Sequence, residues 1–271
     1  MKVVIMAGGK GTRISSVASD IPKPMIKIEG KPVLEHEIEC LRDQGFKDII
    51  LTVSHLGNII MDYFGDGSGI SPVTGNSFGV NIEYYFEKEP LGNAGALFKI
   101  KDKLTEDFLL LNADAMFDVD FNRFVEFHKF HGGMVTLFTH PNSHPYDSGL
   151  IIADENGTVQ KWLAKEDERP TYYKNRVNAG LHVISPELLK QKIDTPKIDL
   201  DRQLLKPLSG TGKMFCYDSP EYVKDMGTPD RYYAVCEDFK AGHVQGKNLK
   251  NKDIKRKYFY TAVQMCLCFE L

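Results

Sequence analysis

The chain has 271 residues, of which 42% are hydrophobic and 26% charged, and its formal net charge is -3. This composition is typical of a globular protein and excludes disordered and fibrous classes, and the small negative charge argues against a nucleic-acid partner, whose binding normally needs a basic face. No apolar stretch approaches the ~20 residues of a membrane span, and no secretory signal precedes the first predicted strand. The five cysteines form neither a CxxC pair nor a zinc spacing. We therefore expect a cytoplasmic protein.

Strands and helices alternate along the first half of the chain. Strands are predicted over 2–7, 47–54, 80–87 and 107–114, and helices over 32–45, 58–64 and 94–104. This alternation predicts a parallel, mostly buried sheet with flanking helices. Ligands of such sheets bind outside the carboxyl ends of the strands, which is where a glycine loop at 8–11 and Asp114 fall.

The pattern changes from residue 133, where strands are predicted over 133–140, 149–165 and 176–185 with few helices between them. Asn156 and Gly157 form the signal of a tight hairpin. We expect these strands and a lid to extend the edge of the first half, in one domain over 1–240, with helices returning after Pro186 and Pro229. The tail, 241–271, is basic and then apolar, and the sequence assigns it no role.

Three glycines follow the first strand: Gly8, Gly9 and Gly11. Glycines permit positive φ and let backbone N–H groups approach an anion closely. A dinucleotide fingerprint would need glycine at Ile14, and Lys10 stands too early for a Walker A motif, so a hydride-transfer enzyme is disfavoured. Arg13 adds a guanidinium that suits a polyphosphate, although an ordinary turn between strand and helix is the alternative.

Lys23 stands between Pro22 and Pro24. Pro24 biases Lys23 towards an extended backbone, and Pro22 has a fixed φ. The segment is therefore stiff and presents the ammonium at a defined place, unless Lys23 is only a solvated loop residue.

These motifs resemble those of the sugar-1-phosphate nucleotidyltransferases, which carry GGxGTR and PKP. The similarity continues through EPLGNAGAL, LLLNAD, VNAGLHV and EYVKDMGTPDRY, so it spans roughly residues 1–240. The resemblance implies a three-layer α/β/α fold, Rossmann-like and glycosyltransferase-A-like, with a mixed central sheet and a small β extension. It also implies Mg²⁺-dependent transfer of a nucleotidyl group from a nucleoside triphosphate to a sugar 1-phosphate, and leaves a homo-oligomer open.

Four residues match the family's catalytic positions. Asp114 and Asp225 match its two metal aspartates, Arg13 would hold the leaving pyrophosphate, and Lys23 the α-phosphate. The chemistry suits them, because the attacking phosphate oxygen is already ionised and the reaction needs cations and positioning, not a base. The remaining predicted nucleotide-binding positions are Ala7, Gly8, Gly9, Gly11, Thr12, Glu87, Glu89, Gly92 and Asn112.

The sugar phosphate has four predicted contacts by the same resemblance: Gly149, Lys165, Asn178 and Gly180. Lys165 matches the lysine of the family's Glu-Lys-Pro element, but Ala164 stands where the family has glutamate. The alternative for Gly149 and Asn178 is that they are turn residues at strand ends.

Glu87 stands where thymidylyl and uridylyl members often carry a glutamine. A carboxylate only accepts hydrogen bonds, which suits the N1–H and N2–H₂ donors of guanine, and Glu89 lies on the same strand face. We therefore expect GTP as the donor, and the segments EKEPLG and KDMGTP most resemble guanylyltransferases for mannose 1-phosphate and D-glycero-D-manno-heptose 1-phosphate. Another base or sugar specificity, or a silent nucleotide-sugar-binding regulatory subunit, remains an alternative. The loop 67–77 is predicted to fold over the site or to form a subunit contact.

Overall fold

The computed structural model describes residues 1–9, 14, 17, 20–142 and 148–244. The predicted site residues Gly11, Thr12 and Arg13 lie outside this part of the chain, and so does the tail from residue 245. The described strands are β1 (Val3–Met6), β2 (Lys27–Ile28), β3 (Lys31–Pro32), β4 (Asp48–Val53), β5 (Asn81–Phe86), β6 (Phe108–Asn112), β7 (Ala115–Asp118), β8 (Val135–His140), β9 (Leu150–Ala153), β10 (Val159–Leu163), β11 (Val177–Ile184), β12 (Met214–Asp218) and β13 (Tyr222–Asp225).

The described α-helices are α1 (Val33–Asp43), α2 (Gly57–Phe64), α3 (Gly95–Lys99), α4 (Phe121–His131) and α5 (Pro229–Lys240). Short 3-10 turns cover Lys23–Met25, Lys101–Lys103, Pro186–Lys190 and Lys206–Leu208, and a π-helical segment covers Leu200–Leu205. The predicted helix over 94–104 is thus a helical turn followed by a 3-10 turn.

The first half forms the predicted parallel sheet. Strand β1 pairs in parallel with β4 on one side and β6 on the other, and β4 pairs in parallel with β5. The carboxyl ends of these four strands therefore lie at one edge of the sheet.

The second half joins the same sheet through β11, which pairs antiparallel with both β6 and β8. β12 pairs in parallel with β8, and β9 and β10 form an antiparallel pair around the predicted Asn156–Gly157 turn. In the described part of the chain, nine strands make one sheet. Seven of them follow the order β10-β9-β11-β6-β1-β4-β5, and β8 joins this row by pairing with β11, while β12 pairs with β8. The predicted α/β fold with a mixed central sheet is confirmed.

Alternate residues of the central strands face two separate cores, because side chains alternate across a strand. Val3 and Ile5 face one core, which includes Leu34 and Ile38 of α1 and residues of α2 and α4. Val4 faces the other, which includes residues of α3 and of the turns after Pro186 and Leu200. The helical segments thus cover both faces of the sheet, which gives the three layers expected.

Besides the strands β2, β3 and β12, two features were not predicted from the sequence. Helix α4 begins at an Asp120 cap whose side chain accepts from the Arg123 N–H, and its buried residues are Phe121, Phe124, Val125 and His128. The second is the antiparallel ribbon of β7 and β13, four residues each. In the described part of the chain, no helix is both long enough and apolar enough to cross a bilayer.

Candidate active site

A cleft of about 1110 Å³ opens at the carboxyl ends of the four parallel strands. Its lining includes residues that follow each of these strands, in chain order Gly8, Ser54, Glu87 and Asp114. The predicted positions Ala7, Gly9, Lys23, Glu89, Gly92 and Asn112 also line it. The fold therefore brings most of the predicted nucleotide-binding residues to one place.

The start of the glycine loop is fixed to the neighbouring strand. The Ala7 N–H donates to the Thr52 carbonyl at 2.9 Å, and the Ser54 hydroxyl donates to the Gly8 carbonyl at 2.5 Å. An added Cβ at Gly8 would lie 3.1 Å from Glu87 Oε1. Glycine here leaves the space in which the Glu87 carboxylate approaches the loop.

Glu87 and Glu89 differ in their surroundings. Glu87 is half-buried and Glu89 is exposed. Burial raises the pKa of Glu87, and the Leu91 N–H works against that rise. Both candidates for reading a base line the cleft, and Glu87 is the more buried of the two.

Lys23 pairs with Asp114 across the cleft. The Lys23 Nζ donates to Asp114 Oδ2 at 2.6 Å, and the lysine side chain is only 9% exposed, against 38% for the aspartate. The extended backbone predicted for Lys23 is wrong, because Lys23 is the first residue of the 3-10 turn Lys23–Met25; the extended residue is Pro22, which precedes the turn. The ammonium is thus pinned beside the predicted metal aspartate.

Asp225 is brought beside Asp114 by the β7–β13 ribbon. Asp225 is the ladder partner of Ala115, and the next residue, Met226, donates its N–H to the Asp114 carbonyl at 2.9 Å. The two aspartates predicted to share a metal ion are therefore neighbours in space.

Arg231 holds the Asp225 carboxylate. Its Nη1 lies 2.9 Å from each carboxylate oxygen, and the Gly227 N–H donates to Oδ1 at 2.9 Å. Burial opposes ionisation of Asp225, but these hydrogen bonds, together with the charges of Arg231 and Lys23, outweigh it and hold its pKa below the ordinary value. Each predicted metal ligand thus faces a cation of the chain itself.

The donor set fits a hard divalent cation. Two carboxylates suit Mg²⁺, which usually takes one or two protein carboxylates and fills its octahedron with water and substrate phosphates. Among the described residues, no three or more His, Cys, Asp or Glu side chains group into a metal cage. An ion bound here would complete its coordination with water or substrate oxygens.

Two further titratable groups surround this pair. Glu37 is 1% exposed, and burial raises its pKa well above the ordinary value, with the Asp114 charge adding to the rise; the Ala115 N–H and Lys23 oppose it. Within the described residues, neither carboxylate oxygen of Glu37 accepts a hydrogen bond of ordinary geometry. Burial also lowers the pKa of His140, against the opposing charges of Asp225 and Asp218.

The predicted sugar-phosphate residues divide into two groups. Gly180 lies against Asn112, since its Cβ would fall 2.5 Å from Asn112 Nδ2, and Asn178 accepts the Gly180 N–H at 3.2 Å. Lys165 instead lies exposed after β10, and Gly149 packs against the Trp162 ring. None of the four predicted residues is among those that line the described cleft, so their contact with the sugar phosphate stays a prediction.

Sequence reasoning missed Ser54, Glu37 and Arg231. Ser54 could have been found, because it follows the second parallel strand just as the glycine loop follows the first. Glu37 is one of two glutamates among the buried residues of α1, and no local pattern marks it. Arg231 falls within the motif EYVKDMGTPDRY, but the motif does not show that its guanidinium meets Asp225.

The chain belongs to the nucleotidyl transferase family, whose model matches residues 2–241. This confirms the resemblance inferred from the motifs. Among individual relatives, the mannose-1-phosphate guanylyltransferase catalytic subunit beta of Xenopus tropicalis is 29% identical over 233 residues, covering 84% of this chain and 62% of the relative. The chain thus spans less than two thirds of the length of the curated relatives it matches first.

Among solved structures, HddC from Yersinia pseudotuberculosis superimposes with a TM-score of 0.72 at 28% identity and covers 88% of this chain and 99% of its own. A structure of HddC complexed with GMP-PN matches with a TM-score of 0.70.

Proposed function

We propose that the protein transfers GMP from GTP to a manno-configured sugar 1-phosphate and releases pyrophosphate. The observation that carries the proposal is the meeting of Lys23, Asp114 and Asp225 beside the cleft that contains Glu87. The guanylyltransferase relatives and the guanine nucleotide bound by HddC support the same assignment.

In the proposed reaction, an oxygen of the sugar phosphate attacks the α-phosphorus of GTP, and the bond from the α-phosphorus to the bridging oxygen of the β-phosphate breaks. Both partners are anions, so the barrier is set by repulsion and by charge on the leaving pyrophosphate. Family members generally use a divalent metal ion. We assign Mg²⁺ to Asp114 and Asp225, where it would supply charge neutralisation between the two phosphates.

Lys23 would contribute a positive charge in addition to that of the metal ion. Its ammonium lies at Asp114, so it would place a positive charge beside an α-phosphate that shares the ion with that aspartate. Arg13, which lies outside the described residues, would hold the pyrophosphate. A cytoplasmic location and a single domain over 1–240 stay predictions.

Glu87 gives the cleft its proposed base preference. A half-buried carboxylate accepts from adjacent donors, and guanine offers N1–H and N2–H₂ side by side, whereas uracil would present acceptor oxygens. A hydrogen bond to a charged group contributes about 1.5–3 kcal/mol. Loss of one such bond would therefore lower the preference for GTP by about 10- to 150-fold.

The test is pyrophosphate release from each of four nucleoside triphosphates with mannose 1-phosphate, by the wild type and two matched variants. We expect GTP to be preferred, Glu87→Gln to reduce kcat/KM for GTP by the factor above, and Glu89→Gln, the exposed neighbour, to change it less than threefold. Equal loss in both variants would remove Glu87 as the base reader. Absence of turnover with every triphosphate and with both mannose and heptose 1-phosphates would refute the proposed function.

A further inference from the structure

Strand β11 contains a bulge at the motif NAG. Asn178 pairs with Thr139, but His182 pairs with Leu137, so four steps along β11 correspond to two steps along β8. Two extra residues are therefore accommodated between them, and Gly180 takes a φ of +76° there. Such bulges re-aim a side chain, and here they turn Asn178 back towards its own strand.

The hydrogen bonds of Asn178 fix which end of its amide faces the strand. The side-chain atom that meets the Gly180 N–H at 3.2 Å must be the oxygen, because a backbone N–H can only donate. The same oxygen lies 3.1 Å from His182 Nε2. His182 must therefore carry its hydrogen on Nε2, and the Asn178 NH₂ group is directed away from both partners.

His182 occupies a place that favours an apolar side chain. It is 1% exposed, and within the described residues its Nδ1 has no hydrogen-bond partner. Burial lowers its pKa to about 4, and the Leu110 backbone opposes the shift. The ring is thus neutral near pH 7, and within the described residues its buried Nδ1 makes no hydrogen bond of ordinary geometry, which costs stability.

We propose that His182 is a positioning residue, which locks the Asn178 amide so that both Nδ2 hydrogens are offered to the sugar 1-phosphate. The inference rests on the proposed function and adds a residue to it. Asn178 lies at the same sheet edge as Asn112. Asn112 lines the cleft and is in contact with Gly180. Without the histidine, the Gly180 N–H at 3.2 Å is the one hydrogen-bond partner that the described residues give the amide, which could then rotate.

The test compares His182→Leu with His182→Gln. Leucine removes the donor and fits the apolar surroundings, while glutamine reaches a similar point with an N–H. We expect His182→Leu to fold with unchanged or higher stability, to weaken binding of mannose 1-phosphate in calorimetry about two- to tenfold, the worth of one neutral hydrogen bond, and to leave the affinity for GTP unchanged. His182→Gln should restore most of the loss.

Two controls make the result decisive. In an Asn178→Ala background, His182→Leu should weaken sugar-phosphate binding no further, because His182 affects binding through the Asn178 amide and that amide is already absent. Histidine ¹⁵N shifts should report the Nε2–H tautomer at pH 7. Wild-type affinity in His182→Leu, equal losses for GTP and sugar phosphate, or an Nδ1–H tautomer facing Leu110 would each overturn the inference. Binding is measured without turnover, so these outcomes are distinct from a failure to release pyrophosphate, which refutes the proposed function.

Discussion

Replacement of Gly180 by alanine tests how tightly the two halves of the site fit together. Gly180 has a φ of +76°, and an added Cβ would lie 2.5 Å from Nδ2 and 3.2 Å from Cγ of Asn112. Real Cβ atoms do not approach so closely, so Asn112 must move. Gly132 is a matched control, because its φ is +66° and an added Cβ there meets nothing within 4 Å.

Both variants lose stability through backbone strain, and Gly180→Ala should lose more because its Cβ clashes with Asn112. A left-handed backbone costs an L-residue about 1–2 kcal/mol, which is all that Gly132→Ala should lose. Gly180→Ala should lose a further ~1–3 kcal/mol of unfolding free energy, the usual cost of overpacking. At about 2–4 °C per kcal/mol for a chain of this size, its Tm should lie about 2–12 °C below that of the control.

Activity should separate the variants further. Displacing a positioning group by about 1 Å costs on the order of 100-fold in rate, so Gly180→Ala should lose about 10- to 100-fold in kcat/KM, and Gly132→Ala less than twofold. Urea unfolding and pyrophosphate release measure the two effects. If Gly180→Ala matched Gly132→Ala in both assays, the close contact between the bulge and Asn112 would be refuted.

Three other predictions concern single side chains. Burial lowers the pKa of His182 from 6.5 to about 4, so below pH 6.5 the unfolded chain binds a proton that the folded chain does not. The contribution of His182 to the free energy of unfolding should therefore fall as pH drops from 6.5 towards 4, by about 2 kcal/mol at pH 5. Burial lowers the pKa of His36 as well, so urea unfolding should show a pH slope that is smaller in His182→Gln than in the wild type, and equal slopes would contradict the prediction. Tyr63→Phe removes the hydroxyl that donates to the buried Glu35 at 2.6 Å, so it should cost about 1.5–3 kcal/mol; an unchanged thermal midpoint would contradict this. Asp225→Asn should weaken Mn²⁺ binding in the presence of GTP at least tenfold, which is about 1.4 kcal/mol or more. Its Tm should change little, because the ion pair between Asp225 and Arg231 is partly exposed. If electron paramagnetic resonance showed an unchanged Mn²⁺ affinity, Asp225 would not belong to the metal site.

Sequence patterns predicted those parts of the fold that depend on local periodicity. The parallel strands and helices α1 and α2 were found, because their apolar residues recur at the spacing of one face. Helix α4 was missed although it carries the same kind of signal, with an Asp120 cap and buried residues at helical spacing.

The geometry of the site depended on contacts that no local pattern records. Motif matching selected both Asp114 and Asp225, but their proximity is made by a ribbon of two four-residue strands, too short for an alternation to be recognised. The Lys23–Asp114 pair joins residues 91 positions apart. Matching also selected Lys165 and Gly149, whose turns the fold leaves outside the described cleft.

Strand β11 has a consequence for how this fold can diverge. One of its edges is committed to β6, which ends at the cleft, and the other carries β8 and a contact with β9. The turns among β9, β10 and β11 can therefore be exchanged during evolution without refolding the parallel strands. A lineage could change the residues on this side of the sheet in this way while it keeps the parallel strands and the loops that follow them.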